Sequence, residues 1–300
     1  MGEVLIGREA VANGLLTRHK LQRWYRSLFP GISIPKGEEL TLRDRIMGAW
    51  LWSHRQAVIA GVAASALHGA EWVDDEAVIE LRFNCTRPPR SIIARNETLY
   101  DDEVAYVGNL PVTTPARTAF DLGRFQRRTQ AMARLDALMR ANPFSVEDVK
   151  LIAKRRPGAR GIRQLRELLP LVDGGAMSPQ ETRLRLLFID AGFPKPTTQI
   201  PVFDAAGELV RILDLGWEDF MVAAEYDGDQ HRTDRARYVK DLKCGLSWHD
   251  WAGTSCSSSK RIAKPTSLPA LMRRWLRAAG GPNSFAPKLY SGRPLLELSL

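Results

Sequence analysis

The carboxylates of this 300-residue chain are placed very unevenly. Residues 201–250 carry a net charge of −5, between flanks of +5 (151–200) and +7 (251–300), in a chain of net charge +9. Acidic side chains that converge in a fold repel one another and raise each other's pKa unless a cation sits among them. The block therefore restricts the C-terminal part to two arrangements: a solvated acidic surface, or a site where several carboxylates gather on a cation. The positive balance of the whole chain points to polyanionic partners, above all nucleic acid.

With 44% apolar and 26% charged residues the chain has ordinary globular usage. Its longest apolar run, residues 57–67, is too short and too rich in small side chains to span a bilayer. No charged segment followed by an apolar one opens the chain. Cys85, Cys244 and Cys256 lack metal-ligand spacing, and their odd number argues against a disulfide framework. The expectation is a soluble, cytoplasmic protein with no membrane partner.

Residues 8–13 read as a short helix ended by Gly14, and Thr17 as the cap of a second helix reaching 24 or 25. Leu21, Trp24 and Leu28 give it an apolar stripe. Pro30-Gly31 breaks the run before a short strand at 32–34. Helix, turn, basic helix and short hairpin is the order of a winged helix-turn-helix. In that setting Arg18, Lys20, Arg23 and Arg26 meet phosphates of double-stranded DNA; a solvated basic face is the alternative.

Further helices are expected at 40–52, 57–68, 124–140 and 146–154, with His68 capping the second, and another opens at Thr114-Pro115. Strands are expected at 76–83, 101–107 and 110–112. From Lys150 to Arg166 there are seven basic residues and no acidic one, so 154–163 reads equally well as a linker or a phosphate-contacting segment.

The stretches GLLTRHKLQRWYRSLFPGISIPKG, LTLRDRIMGAWLWSHRQAVIAGVAASALHGA and LPVTTPARTAFDLGR resemble the N-terminal region of AbiEi-type abortive-infection antitoxins, over roughly residues 1–125. The resemblance implies a winged helix that binds DNA and represses its operon, with a toxin as partner.

Farther on, Ser178-Pro179-Gln180-Glu181 carries a cap serine, a first-turn proline and a capping-box glutamate, and the helix they open runs to Asp190 before Gly192. Strands follow at 197–203, 210–215 and 221–227, then a basic helix at 232–243. Alternation sets Glu225 and Asp227 on one face of the third strand, and a hairpin sets Asp214 beside them. Carboxylates at adjoining strand ends, flanked by helices, form the layout of a restriction-endonuclease-like core. Such a core holds Mg²⁺ on hard oxygen ligands for phosphodiester hydrolysis.

SPQETRLRLLFIDAGFPKPTTQ, RILDLGWEDFMVAAEYDGDQHRTD and ARYVKDLK, spanning roughly 177–243, resemble the nuclease domains related to very-short-patch-repair (Vsr) endonucleases of the PD-(D/E)XK superfamily. The resemblance implies that Asp214 ligates the metal, that Glu225 is the acidic residue of E-x-K, and that Glu181 is the helix glutamate holding the cation through water. Asp227 stands where that family has lysine, so Gln230 or His231 would take over positioning the water or contacting phosphate.

The fold class expected is thus an α+β N-terminal half with a winged helix-turn-helix, and an incomplete α/β restriction-endonuclease-like C-terminal domain. The boundaries are 1–142 for the antitoxin-like region, 143–176 for a basic linker, 177–250 for the endonuclease-like core and 251–300 for an atypical tail. From about Cys244 the chain departs from the nuclease pattern: it becomes Ser-rich, nearly acid-free and interrupted by Pro265 and Pro269. Read in the next frame with permitted codons, the stretch from Trp251 becomes an apolar strand, a turn and an amphipathic helix. The tail is then either frameshifted, and loosely packed beyond about 245, or naturally divergent. Three functions remain: a Mg²⁺-dependent endonuclease targeted by a winged helix, a DNA-binding regulator of antitoxin type with a vestigial nuclease domain, and a module that neutralises a toxin.

Overall fold

The computed structural model describes residues 4–204, 206–218, 222–225 and 288–291, in two compact units, Met1–Gly174 and Gly175–Leu300.

In the first unit, β1 (Leu5–Ile6) leads into α1 (Gly7–Ala12), and α2 (Arg18–Trp24) follows after a turn. The Thr17 hydroxyl accepts from the Lys20 amide, capping α2 as its position requires. The chain then passes directly into β2 (Tyr25–Phe29) and returns through β3 (Ile32–Pro35), giving a three-stranded antiparallel sheet in the order β1-β3-β2. The predicted apolar stripe is only partly realised. Leu21 closes against Gly7, where a Cβ would stand 3.0 Å from its Cδ2. Trp24 instead lies 58% exposed, with the Arg23 guanidinium 5.0 Å from its ring. The helix stops too early for Trp24 to share a helical face with Leu28, which belongs to β2.

α3 (Leu42–Trp52), held at its start by a reciprocal Thr41–Asp44 capping box, carries Ile46, Ala49 and Leu51 into a core shared with Phe29 and Ile32. That core continues into a five-stranded mixed sheet, β6-β5-β4-β8-β7, built from β4 (Val58–Ala60), β5 (Ile79–Arg82), β6 (Ile92–Arg95), β7 (Val104–Val107) and β8 (Leu110–Thr113). Burying each large aliphatic side chain here contributes about 1.5–3 kcal/mol.

The helix expected over 57–68 is really a strand followed by a shorter helix, α4 (Gly61–Leu67). Residues 58–60 form the strand between β5 and β8, and a helix there would leave those strands' backbone groups unpaired. Gly61 makes the change of direction at φ +59, where a Cβ would meet the Glu80 carboxylate. His68 is the C-cap of α4, its backbone amide donating to the Ala64 carbonyl at 3.0 Å, while its side chain reaches across to the sheet: Nε2 donates to the Thr113 carbonyl at 2.7 Å.

α5 (Pro115–Phe125), capped by Thr114, is surrounded by α4, α6 (Arg128–Ala141), α7 (Val146–Arg155) and α8 (Ile162–Leu168). The basic helix expected over 124–140 is thus two helices broken at Gln126-Arg127, where Gln126 turns extended. The stretch expected to be a linker carries α7 and α8, both packed on α5.

In the second unit, α9 (Pro179–Asp190) is followed by an antiparallel sheet in the order β12-β11-β10-β9: β9 (Thr197–Phe203), β10 (Leu209–Trp217), β11 (Val222–Glu225) and β12 (Lys288–Ser291). Phe188 of α9 meets the Trp217 ring edge-on at 5.0 Å, and Trp217 Nε1 donates to the Pro194 carbonyl at 2.7 Å. This aromatic contact seats the helix on β10. Among the described residues the tail supplies one paired strand, β12. The frame-sensitive stretch, 251–280, lies outside the described residues.

Candidate functional site

On the N-terminal surface, Arg18, Lys20 and Arg23 on α2 and Arg26 on β2 are all exposed. No acidic residue stands on α2 to neutralise them. Lys36 is differently employed: its Nζ donates to the carbonyls of Gln22 and Arg23, closing the C-terminal end of α2 onto the hairpin.

The C-terminal carboxylates are placed as follows. Glu181 is buried in the first turn of α9. Its Oε1 accepts from the Ser178 hydroxyl at 2.9 Å, and its Oε2 from the Met177 amide at 2.8 Å and from Gln199 Nε2 at 3.2 Å. A carboxylate with both oxygens committed in this way is a helix cap and does not suit the role of a cation ligand. Asp214 lies half-buried in β10, between the buried Leu213 and Leu215. The β10–β11 register runs through Leu215–Ala224, Gly216–Ala223 and Trp217–Val222. One further step in that register sets backbone position 214 opposite 225. On the other side, the pairs Leu213–Ile200 and Leu215–Thr198 bracket position 199, where Gln199 adopts φ 52. Asp227, Gln230 and His231 lie outside the described residues. Among the described residues no group of three or more His, Cys, Asp or Glu is placed to hold a metal ion.

The densest charge cluster in the described chain stands elsewhere, around α5. Arg117, Asp121 and Arg124 follow one another at i, i+4 and i+7 on one face of that helix, and all are buried. Glu97, from the loop after β6, bridges Arg117 Nη2 and Arg124 Nη2 at 2.9 Å each, with Arg82 Nη1 at 3.6 Å. Asp121 forms an ion pair with Arg82 Nη2 at 2.5 Å and lies within 3.3 Å of Arg117 and Arg124. Glu103 pairs with Arg117 and with Arg156, the residue just past α7. Burial raises the Asp121 carboxyl most, but the guanidiniums of Arg82, Arg117 and Arg124 together outweigh it and hold its pKa below the usual value. Arg124 moves the other way from Arg117: burial lowers it despite Glu97 and Asp121. For Arg117, burial is outweighed by Asp121 and Glu103, and its pKa is raised.

The sequence reading missed this cluster, although the spacing in RTAFDLGR was a signal for it. The partners Arg82, Glu97, Glu103 and Arg156 are scattered over 75 positions of sequence, and only the sheet and the packing of α7 bring them to α5. Its open side is a cleft of about 430 Å³ that includes Glu97, Tyr100, Arg124, Arg156 and Gly158.

These features define a mixed α/β protein with an exposed basic helix-and-hairpin at one end and a domain organised around a buried arginine–carboxylate network. Residues 55–171, which run from just before β4 to the turn after α8, match the family model of the AbiEi antitoxin C-terminal domain. The match begins at residue 55, so the expected likeness over residues 1–54 is not part of it, and it runs past residue 125 to take in the basic segment 154–163. Two proteins of Mycobacterium tuberculosis, Uncharacterized protein MT2308 of strain CDC 1551 / Oshkosh and Uncharacterized protein Rv2248 of strain ATCC 25618 / H37Rv, are each 38% identical over 231 residues, 77% of this chain and 80% of theirs. The chain belongs to the family of these mycobacterial proteins, with an AbiEi-antitoxin-like domain at its centre. No helix among the described residues is long and apolar enough to cross a membrane.

Proposed function

We propose that this protein is a double-stranded-DNA-binding regulator of antitoxin type, in which β1 to β3 with α1 and α2 form a winged helix and α2 carries the DNA contact. The observation that carries the reading is the exposure of Arg18, Lys20, Arg23 and Arg26 on a capped helix that leads straight into a hairpin. Guanidinium and ammonium groups so presented neutralise phosphates and release counterions. The antitoxin-like domain at 55–171 supports a cytoplasmic toxin as second partner. Fluorescence anisotropy with a duplex from upstream of the protein's own gene tests the reading. Binding that weakens steeply with salt, and is lost on joint replacement of Arg18, Lys20 and Arg23 by alanine, is expected. Unchanged affinity in that variant would overturn it.

A second reading, a Mg²⁺-dependent endonuclease in the C-terminal unit, is favoured by one observation: the register that sets position 214 opposite 225. Asp214, with Glu225 and Asp227, would hold the ion, which supplies charge stabilisation and an activated water; Gln230 or His231 would orient the water. Glu181, whose oxygens already serve the cap of α9, would reach the ion only through water. Metal-dependent nicking of plasmid DNA, abolished by Asp214→Ala and by Glu225→Ala, is the expected result. Absence of nicking in the wild type would leave the regulator reading alone.

A further inference from the structure

We propose that the cleft beside the arginine–carboxylate network is a binding site for a small phosphate monoester, with Glu97 acting as an internal anion that the ligand displaces. The first argument is charge. Four guanidiniums, of Arg82, Arg117, Arg124 and Arg156, face three carboxylates, of Glu97, Glu103 and Asp121, and six of the seven side chains are at most 14% exposed. One positive charge is thus left in excess where solvent screens it little, and an uncompensated buried charge is costly unless an anion reaches it. Arg95 does not alter the balance, because it is paired with Glu80. Arg155 is likewise paired with Asp102.

The second argument is access. Glu97 is the one carboxylate of the network with substantial exposure, 31%, and it lines the cleft together with Arg124 and Arg156. It stands on a loop, and its two shortest ion pairs are to Arg117 and Arg124. A phosphate dianion arriving there would present three oxygens to the same donors and a second negative charge, which the excess guanidinium matches. Arg124 also keeps a buried Nε–H with no acceptor in the described structure.

The third argument is shape. The turn at Gly158 also lines the cleft, and a Cβ there would meet nothing within 4 Å, so a side chain can be added at this rim without a clash. Tyr100, half-exposed at the rim, has the Arg155 and Arg156 guanidiniums 5.3 and 5.0 Å from its ring. The cleft is of the size that holds small organic phosphates. The turn between α7 and α8 thereby contributes to a site through Arg156 and Gly158.

Thermal melting of the full chain in inorganic phosphate, against chloride at matched ionic strength, tests this. A saturable rise in melting temperature is expected with phosphate only. Glu97→Gln, which removes the competing internal anion, should lower the half-saturating phosphate concentration at least tenfold. Gly158→Asp, which brings a carboxylate into open space, should abolish the rise while leaving the melting temperature in chloride unchanged. No phosphate-specific shift in the wild type, or an unchanged half-saturation in Glu97→Gln, overturns the proposal. Duplex DNA binding distinguishes the source of the phosphate. It should survive in Gly158→Asp, and its loss there would assign the cleft to the DNA backbone instead of a small monoester.

Discussion

Arg156 and Glu103 face each other through two parallel hydrogen bonds, Nη1 to Oε1 and Nη2 to Oε2, each 2.7 Å long. A fork-to-fork pair of this kind is the strongest geometry available to an arginine and a carboxylate. It fastens the chain just past α7 to the 3-10 turn at Asp101–Glu103, 53 positions earlier. The basic run from Lys150 to Arg166 is therefore divided. Arg156 is held in the network beside the cleft, whereas Lys154, Arg160 and Arg163 remain at the surface.

Asp121 is the carboxylate on which three guanidiniums converge, so Asp121→Asn should cost about 3–5 kcal/mol at neutral pH, as when one partner of a buried ion pair is removed. The sign with pH follows from its lowered pKa. The contribution is fully present above the unfolded value of about 3.9 and is lost as pH falls through the lower folded value. Urea unfolding between pH 7 and pH 2 checks this: the wild type should lose stability over the acid range more steeply than the variant.

Arg18→Ala, Lys20→Ala and Arg23→Ala should leave the melting temperature nearly unchanged, because all three side chains are exposed. Each that contacts a phosphate should reduce the log–log dependence of DNA affinity on salt by about 0.9. Anisotropy titrations between 50 and 200 mM salt measure it.

Gly161 stands at φ +78 before α8, and a Cβ there would run into the Arg124 carbonyl. Gly161→Ala should destabilise the first unit by about 2 kcal/mol or more, from backbone strain and the clash together. Gly158→Ala, three residues earlier and facing open space, should change stability by less than about 0.5 kcal/mol. Paired denaturation curves of the two variants separate strain from a general sensitivity of the loop.

Glu181→Ala removes the acceptor of the Met177 amide, the Ser178 hydroxyl and the Gln199 amide at once. A loss of about 1–3 kcal/mol in the second unit is expected, with Glu181→Gln intermediate. If Glu181 served a cation instead, Mg²⁺ would raise the wild-type unfolding midpoint and not that of Glu181→Ala. Equal response to Mg²⁺ in both proteins is the outcome the capping role requires.

Local signals were read well wherever a side chain answers to its own backbone. Thr17, Thr114 and Ser178 each cap the helix that follows, because a cap bond spans only three residues and needs no partner from elsewhere. The antiparallel order of β9 and β10 was legible for the same reason, since the turn between them is short and carries Asp204 and Gly207. Position in a sheet was not. Residues 57–60 have the composition of a packed helix and become a strand only because β5 and β8 flank them. Arg82 and Glu80 sit on a strand with every side chain buried, where alternation alone predicts exposure for one face. The arginine network is the extreme case. Sequence by itself determined that Arg117, Asp121 and Arg124 share a helical face, through the 3.6-residue period of α5. Tertiary structure decided that the face is buried, by bringing Arg82, Glu97, Glu103 and Arg156 to it, because a charged helical face tolerates desolvation only when opposite charges arrive from distant segments.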